Sequence, residues 1–520
     1  MIRLIKNKKI EIILWVFIIA YALYFSYFTI LRYKTLYASY YDLGIMHQTV
    51  YNSYQAIKTG DWGRFLELTN PTGVEQIKRM AIHSDILLGL ISPFYFIHAG
   101  PETLLVIQSI VSALGALAIF KIAVFVFQKI NSRYFIALIF SLCYLLYVPF
   151  ERANIYDFHA VTLSTTLLLF MFYFWLVKKY KLSFLFFLLS IISKEQVALT
   201  TMMFGLYSIL IFIRHSGKRS ASRIDSGQAR MTKAEKIFSL SMISFSIFWF
   251  VASVFYIIPL FRGGQHFAVQ RYSDFGDSPI RIIIGTITNP YSISKYILRV
   301  DTLGYLVTLL GPVGFLSLLS PTQLIIASPE FAINLLSKNP NMRNIIYQYT
   351  AVITPFVFIS AIYGAKRVIG YLLLVIRKKS IKNVEKKIII LLSSYLFIFT
   401  LVWAYQKGPL LFSREADIHP LKYPQKEIKD VAFWARTLQD EQLKISTTGQ
   451  LSPFFTSRRY FYTFSARYRM ADYVIVRLNE IYSYPEKWEL IPVYEKLKED
   501  YNYNLIYKRE NFEVYKKVKS

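Results

Sequence analysis

MIRLIKNKKIEIILWVFIIAYALYFSYFTIL (residues 1–31) opens the chain, and its reading decides the fold class. Four cations, Arg3, Lys6, Lys8 and Lys9, precede an apolar run over residues 10–31. A short basic start before an apolar stretch also describes a secretory signal. This run, however, reaches the roughly 20 residues that cross a bilayer, and no small-residue cleavage site follows it. The expectation is a retained membrane helix with its N-terminus in the cytoplasm.

The rest of the chain agrees in composition. Of 520 residues, 54% are hydrophobic and 17% aromatic, while 18% are charged. Soluble domains carry about 25% charged residues, so an ordinary cytosolic enzyme is excluded. The single Cys143 lies in an apolar run, which excludes a disulfide framework or a Cys-rich metal site. The net charge of +28 belongs to short loops between apolar runs, the pattern that orients a membrane protein, and no nucleic-acid motif accompanies it.

Further apolar runs lie at 103–127, 134–148, 160–177, 182–213, 237–259, 302–319, 323–336, 349–376 and 388–405. The run 86–97 is short and reads as interfacial or re-entrant. The run 182–213 is interrupted by Lys194 and Glu195, so two short helices should meet there. This gives about eleven spans. With the N-terminus inside, the basic loops 1–9, 128–133, 178–181, 214–236 and 377–387 fall in the cytoplasm. Most acids then fall outside, among them Asp42, Asp85 and Asp157.

Charge density rises after residue 405. Residues 406–520 hold 20 Lys or Arg and 15 Asp or Glu. Helical patterns at 425–439 and 487–502, and strand-like runs at 443–447, 472–476, 504–508 and 512–516, predict a small soluble α/β domain on the outer face. The expected organisation is a membrane domain over 1–405, with outer loops 33–101 and 260–300, and an extracytoplasmic domain over 406–520.

Ionisable groups at the edges of spans are costly and therefore informative. Asp42, in YYDLGIMHQTVYN, follows the first span; it either caps the next helix or takes a proton from a substrate hydroxyl. It also suits a divalent cation, Mg2+ or Mn2+, with Asp157 as the second carboxylate. Asp157 and His159, in NIYDFHA, stand to share a proton or a metal with Asp42, or Asp157 caps the helix that follows. His83 lies beside Asp85 in RMAIHSDILL. Lys194 and Glu195 read either as a structural ion pair or as a site where a lysine faces a substrate anion. Arg271 and Arg343 suit phosphate, because the guanidinium presents a fork of donors; each also suits a lipid headgroup.

The segments YYDLGIMHQTVYN, HSDILLGLISPFY, PETLLVIQSIVSALGALAIF, NIYDFHAVTL, SKEQVAL and YQYTAVITPFVFISAIYG resemble a prokaryotic family of uncharacterised multi-pass membrane proteins. The likeness runs along most of the chain, including ADYVIV near its end. That family is grouped with the GT-C glycosyltransferases, which carry an acid in the first outer loop, matched by Asp42. The lipid-A aminoarabinose and protein-mannosyl branches have an acid near the second outer loop, matched by Asp157. The former branch has a lysine after a short span, which Lys194 resembles, although Glu195 replaces the usual glycine. The proline-rich segment after the first acid is only partly echoed by HSDILLGLISP.

The resemblance implies a GT-C-like helical membrane domain and a membrane glycosyltransferase. Its donor would be a sugar on polyprenyl phosphate and its acceptor a glycan, lipid or protein outside the cell membrane. Asp42 would be the base or cation ligand, with Asp157 and His159 assisting. Lys194, Arg271 and Arg343 would hold the lipid phosphate, with Glu195 beside them, and His83 would lie on the acceptor side. Two rivals stand beside this: a transporter or flippase gated by Lys194–Glu195, and a non-catalytic membrane assembly protein.

Overall fold

A computed structural model describes residues 2–220, 232–376 and 384–518. The central parts of two basic loops, 221–231 and 377–383, lie outside the described residues.

The first helix runs Ile2–Lys34. Ile12, Val16, Ile19, Leu23 and Tyr27 form one exposed stripe, while Leu14, Ile18, Tyr21, Phe25 and Phe28 are buried. Both stripes repeat at helical spacing and both are apolar, so one faces the protein and the other suits lipid. Helices Pro101–Val126, Lys233–Arg262, Thr354–Val375 and Val384–Lys407 are also long and apolar enough to cross a membrane. Among the described residues, two bent pairs, Arg133–Leu145 with Val148–Tyr156 and Pro290–Ile297 with Val300–Val313, raise the number from five to as many as seven. Other expected spans fall on shorter apolar helices, Ala160–Leu176, Tyr180–Ile191 and Val197–Ile211.

The run 182–213 breaks as the sequence suggests. Helix Tyr180–Ile191 stops, Lys194 and Glu195 lie in the turn, and helix Val197–Ser220 follows. The runs 302–319 and 323–336 differ from their reading as continuous spans. Pro312, Pro321 and Pro329 each sit at the start of a new short helix. A proline lacks the backbone donor that a continuing helix needs, so hydropathy alone overstates these segments.

Helix Asp42–Thr59 leads into a short hairpin of strands β1 (Glu67–Thr69) and β2 (Gln76–Lys78). Near the C-terminus lie β3 (Ile445–Thr447), β4 (Phe461–Thr463), β5 (Tyr473–Arg477), β6 (Tyr503–Arg509) and β7 (Phe512–Lys517). They form one sheet in the order β4-β3-β5-β7-β6. β3 runs parallel to β4 and β5, whereas β7 is antiparallel to β5 and β6. Alternation along β5 puts Ile475 in one core with Val431 and Val514, and Val474 and Val476 in another with Tyr494 and Leu497. The sequence reading missed β4, a three-residue strand too short to show a period.

The sheet packs onto the chain that follows the first helix. Leu36 and Tyr41 belong to the same core as Ile445 and Ile475. The Tyr41 hydroxyl donates to the Thr447 carbonyl and accepts from the Phe464 amide, both at 2.8 Å. Arg459 reaches the Glu67 carboxylate at 2.8 Å, Gln48 donates to the Arg459 carbonyl at 2.9 Å, and Arg32 pairs with Asp417. The sheet is therefore fastened beside Asp42.

Candidate functional site

Asp42 is the first residue of its helix, but it caps nothing: Tyr41 holds the cap position and makes no side-chain cap bond. The Asp42 carboxylate instead accepts from the Tyr156 hydroxyl at 3.0 Å, and His159 Nε2 lies 3.6 Å away. The Tyr156 ring stacks on His159 at 5.7 Å. Burial works to raise the Asp42 pKa, but His159 and Tyr156 outweigh it and hold the carboxyl below its usual range. Its side chain keeps 41% exposure, so it remains accessible.

The loop Asp157–His159 is set by Gln108. Gln108 Nε2 donates to the carbonyls of Asn154 and Asp157, at 3.1 and 3.0 Å, and its oxygen accepts from the His159 amide at 2.9 Å. Asp157 is buried and accepts from the Ser39 amide at 2.9 Å. Burial pushes its carboxyl well up; Arg32 opposes this and the Asp42 charge adds to it. Two nearby carboxyls with pKa values moved in opposite directions are a frequent mark of a functional site.

Asp42 and His159 line a cavity of about 350 Å³ together with Arg79, His83, Asp85, Lys194, Arg262, Arg271, Gln348 and Tyr349. Among the described residues no carboxylate lies within 4.0 Å of Lys194, whose Nζ stands 5.9 Å from the Tyr349 ring centre. Arg271 lies over Phe267, with Met342 Sδ as a soft acceptor at 3.6 Å. Arg79 is held by Asp85 through three N–O contacts at 3.0 Å. Lys194, Arg271 and the more exposed Arg262, which lies 5.7 Å over the Phe267 ring, are thus the cations without a carboxylate partner among the described residues, and the buried Lys194 is the strongest attractor for an anion.

Glu195 does not pair with Lys194. It accepts from His83 Nδ1 at 2.8 Å, His266 Nε2 at 3.2 Å and the Ser84 amide at 3.0 Å. Burial pushes the His83 imidazole down to about 3, against the pull of Glu195. His83, Glu195 and His266 are the group of three among the described residues whose donor atoms are close enough for a metal. The His266 Nδ1, however, accepts from the Ala268 amide at 3.0 Å. Its proton therefore belongs on Nε2, facing Glu195, and hydrogen bonds alone account for the cluster.

Arg343 stands apart from the cavity. Asp301 takes its Nε at 2.7 Å and the Ser337 carbonyl takes its Nη1 at 2.7 Å. Asp301 is far enough away in the chain that sequence gives no sign of the pair. Tyr156, Gln108, Arg79 and Tyr349 join the site without having been singled out. Tyr156 precedes Asp157 directly, and an ordinary tyrosine among 40 carries no signal of its own.

Behind the Glu195 cluster an apolar groove of about 340 Å³ is lined by Leu199, Phe250, Val254, Ile283, Ile287 and Ile333 among others. Glu195 and His266 lie at its polar end.

Two solved structures align along nearly the whole chain. ArnT from Cupriavidus metallidurans bound to undecaprenyl phosphate aligns with a TM-score of 0.53 at 10% identity, covering 97% of this chain and 98% of that one. The same protein in the apo state gives 0.47 at 10% identity, with 97% of each chain covered. At such identity the likeness to the first of these bears on the fold alone, which is like that of ArnT. Among curated proteins none matches the chain. A family described as predicted membrane protein (DUF2079) matches residues 32–513. With so much of its length matched, the chain belongs to this family of membrane proteins.

Proposed function

We propose that the protein is a membrane glycosyltransferase that moves a sugar from a polyprenyl phosphate carrier to an acceptor hydroxyl on the extracytoplasmic face. One observation carries this reading: Asp42 borders a pocket that also holds the unpaired Lys194 and Arg271. The adjoining apolar groove supports it, because a polyprenyl chain needs an apolar bed beside the site of its phosphate. ArnT, crystallised with undecaprenyl phosphate, shares the fold.

The chemistry follows from the charges. The acceptor oxygen attacks the anomeric carbon as the bond from that carbon to the phosphate oxygen breaks. The phosphate leaves with the electron pair and is met by Lys194 and Arg271. The acceptor proton passes to the Asp42 carboxylate. His159 and Tyr156 orient that carboxylate, and Asp157 supports the loop from beneath. A divalent cation at Asp42 would need one or two protein carboxylates, with phosphate oxygens and water completing its shell; it would neutralise charge on the departing phosphate. His83 lines the pocket and is held by Glu195 from the side of the adjoining groove.

The test is transfer from a radiolabelled polyprenyl-phosphate sugar in proteoliposomes, after mass spectrometry of the copurified lipids. Loss of transfer in Asp42→Asn with unchanged folding is the expected result. Full activity in that variant would sink the role of Asp42. The flippase reading gains nothing from Lys194–Glu195, because Glu195 is engaged by two histidines instead.

A further inference from the structure

Asp42 borders a second cavity, larger than the first, at about 1230 Å³. One wall is the chain around Asp42, with Tyr37, Tyr40, Tyr156 and Tyr347. The opposite wall belongs to the C-terminal sheet. Gln450 follows β3, Phe464 and Ser465 follow β4, and Tyr484, Glu486 and Glu489 come after β5. These three strands are parallel, so their carboxyl ends share one edge, and that edge faces the cavity.

The topology makes this edge a binding crevice. From β3 the chain moves to β4 on one side, whereas from β5 it moves towards the antiparallel strands on the other. Open α/β sheets bind ligands beyond the carboxyl ends of strands where the direction of connection reverses. The reversal here lies between β3 and β5, and Glu480 bridges it, accepting from the Thr448 hydroxyl and the Gln450 amide at 2.9 and 2.8 Å.

The walls differ chemically from those of the first pocket. The two arginines that line the cavity are engaged: Arg32 by Asp417, and Arg467 by oxygens of Pro71, Thr463 and Ser465. Arg32 is thus paired with a carboxylate, whereas Arg467 is held through Nη1 by neutral oxygens alone and keeps its charge. Tyrosines supply apolar faces with polar tips, and Tyr40 and Tyr484 stack at 4.8 Å. Glu486 Oε2 is buried without a partner and awaits a donor. Aromatic faces, carboxylates and a single arginine already held by neutral oxygens fit a neutral ligand rich in hydroxyl groups. The volume exceeds the roughly 300–1,000 Å³ of pockets for drug-sized molecules, so a chain of sugars fits better than one.

We infer that this cavity binds the acceptor as a neutral oligosaccharide, which the carboxyl edge of the C-terminal sheet presents to Asp42. The inference rests on the glycosyl-transfer reading for its purpose. Its test does not need transfer. The full-length protein in lipid nanodiscs is titrated with hexasaccharides of glucose, mannose and N-acetylglucosamine, with a neutral decapeptide as control. Binding is read by saturation-transfer difference NMR, and undecaprenyl phosphate binding is measured on the same preparations. At least one hexasaccharide should receive saturation, more strongly than its monosaccharide. Tyr484→Ala should weaken it about tenfold, and Glu489→Ala, on the exposed rim, by roughly threefold. Tyr484→Ala can disturb folding; Glu489→Ala does not remove packing, so the two together keep the outcome interpretable. Silence from every hexasaccharide, or a signal untouched by both substitutions, overturns the inference even if undecaprenyl phosphate still binds. Saccharide binding without undecaprenyl phosphate binding would leave the cavity assigned and defeat the glycosyl-transfer reading instead.

Discussion

The Tyr156 hydroxyl donates to the Asp42 carboxylate at 3.0 Å across a separation of 114 residues. That bond joins the start of helix Asp42–Thr59 to the end of helix Val148–Tyr156, and with His159 it holds the Asp42 carboxyl below its usual range. Removing the donor should raise the Asp42 pKa. A base must be deprotonated to act, so the acid limb of the pH–rate profile should move to higher pH in Tyr156→Phe. At neutral pH, where Asp42 stays ionised in either chain, Tyr156→Phe should lose roughly tenfold or less, through lost orientation of the carboxylate alone, whereas Asp42→Asn should lose about 10²–10⁴-fold. An unshifted acid limb in Tyr156→Phe would separate Tyr156 from the ionisation of Asp42.

Lys194 is buried in the pocket wall with no carboxylate partner among the described residues. A site built for an anion should show this as affinity rather than as stability. Lys194→Ala should weaken undecaprenyl phosphate binding by at least about tenfold, since a charged hydrogen bond contributes roughly 1.5–3 kcal/mol. The unliganded variant should melt at the same temperature or higher, because an uncompensated buried charge is removed. Thermal shifts with and without the lipid distinguish the two effects.

If the proposed divalent cation sits at Asp42, transfer is sensitive to chelation. EDTA should abolish turnover, and Mg2+ or Mn2+ should restore it in the native chain but not in Asp42→Asn. Full turnover in excess EDTA would remove the cation from the mechanism and leave Asp42 as the base.

The membrane fold was legible because long apolar runs and basic loops are properties of adjacent residues. The first helix and the break at Lys194 needed no distant information. Asp42, His159, His83 and Lys194 were legible for the same reason: each is a polar group at the edge of an apolar run, and the fold gathers them around one cavity. What sequence could not show is which charges cancel. Arg343 has the residue type for phosphate, but Asp301, 42 positions earlier, engages it. Glu195 looked like the partner of its neighbour, yet its partners are His83 and His266, 112 and 71 positions away. The junction of the sheet with the first loop was equally hidden, since Tyr41 and Thr447 meet across 406 positions.

The C-terminal sheet has its own pH response. Burial pushes the Glu480 carboxyl up to about 7, against the pull of Arg477. The folded state therefore holds a proton that the unfolded chain, with a carboxyl near 4.3, has already released. Between those values stability must fall as pH rises, and above about 7 it levels off. Melting temperatures of the full chain should decline from pH 5 to pH 7, by an amount on the order of 1 kcal/mol or more of stability. Glu480→Gln should flatten that slope, although it will be less stable at low pH for want of one acceptor.

Two glycines set how closely the sheet approaches Asp42. A Cβ on Gly44 would stand 2.4 Å from Ser452 Oγ, and one on Gly449 would stand 2.2 Å from the Tyr40 ring. Neither clash is relieved cheaply: Ser452 is buried, and Tyr40 is stacked on Tyr484. Gly449→Val should force the sheet and the first loop apart, at about 1–3 kcal/mol for an overpacked contact. The long apolar helices Pro101–Val126, Lys233–Arg262, Thr354–Val375 and Val384–Lys407, which lie outside this contact, should remain folded. The expected signature is a C-terminal domain cut more readily by protease, with undecaprenyl phosphate binding retained and transfer lost. Gly44→Ala, at the other end of the same interface, should produce the same pattern more mildly. If both variants kept full transfer and full protease resistance, the close approach of the sheet would have no part in completing the site beside Asp42.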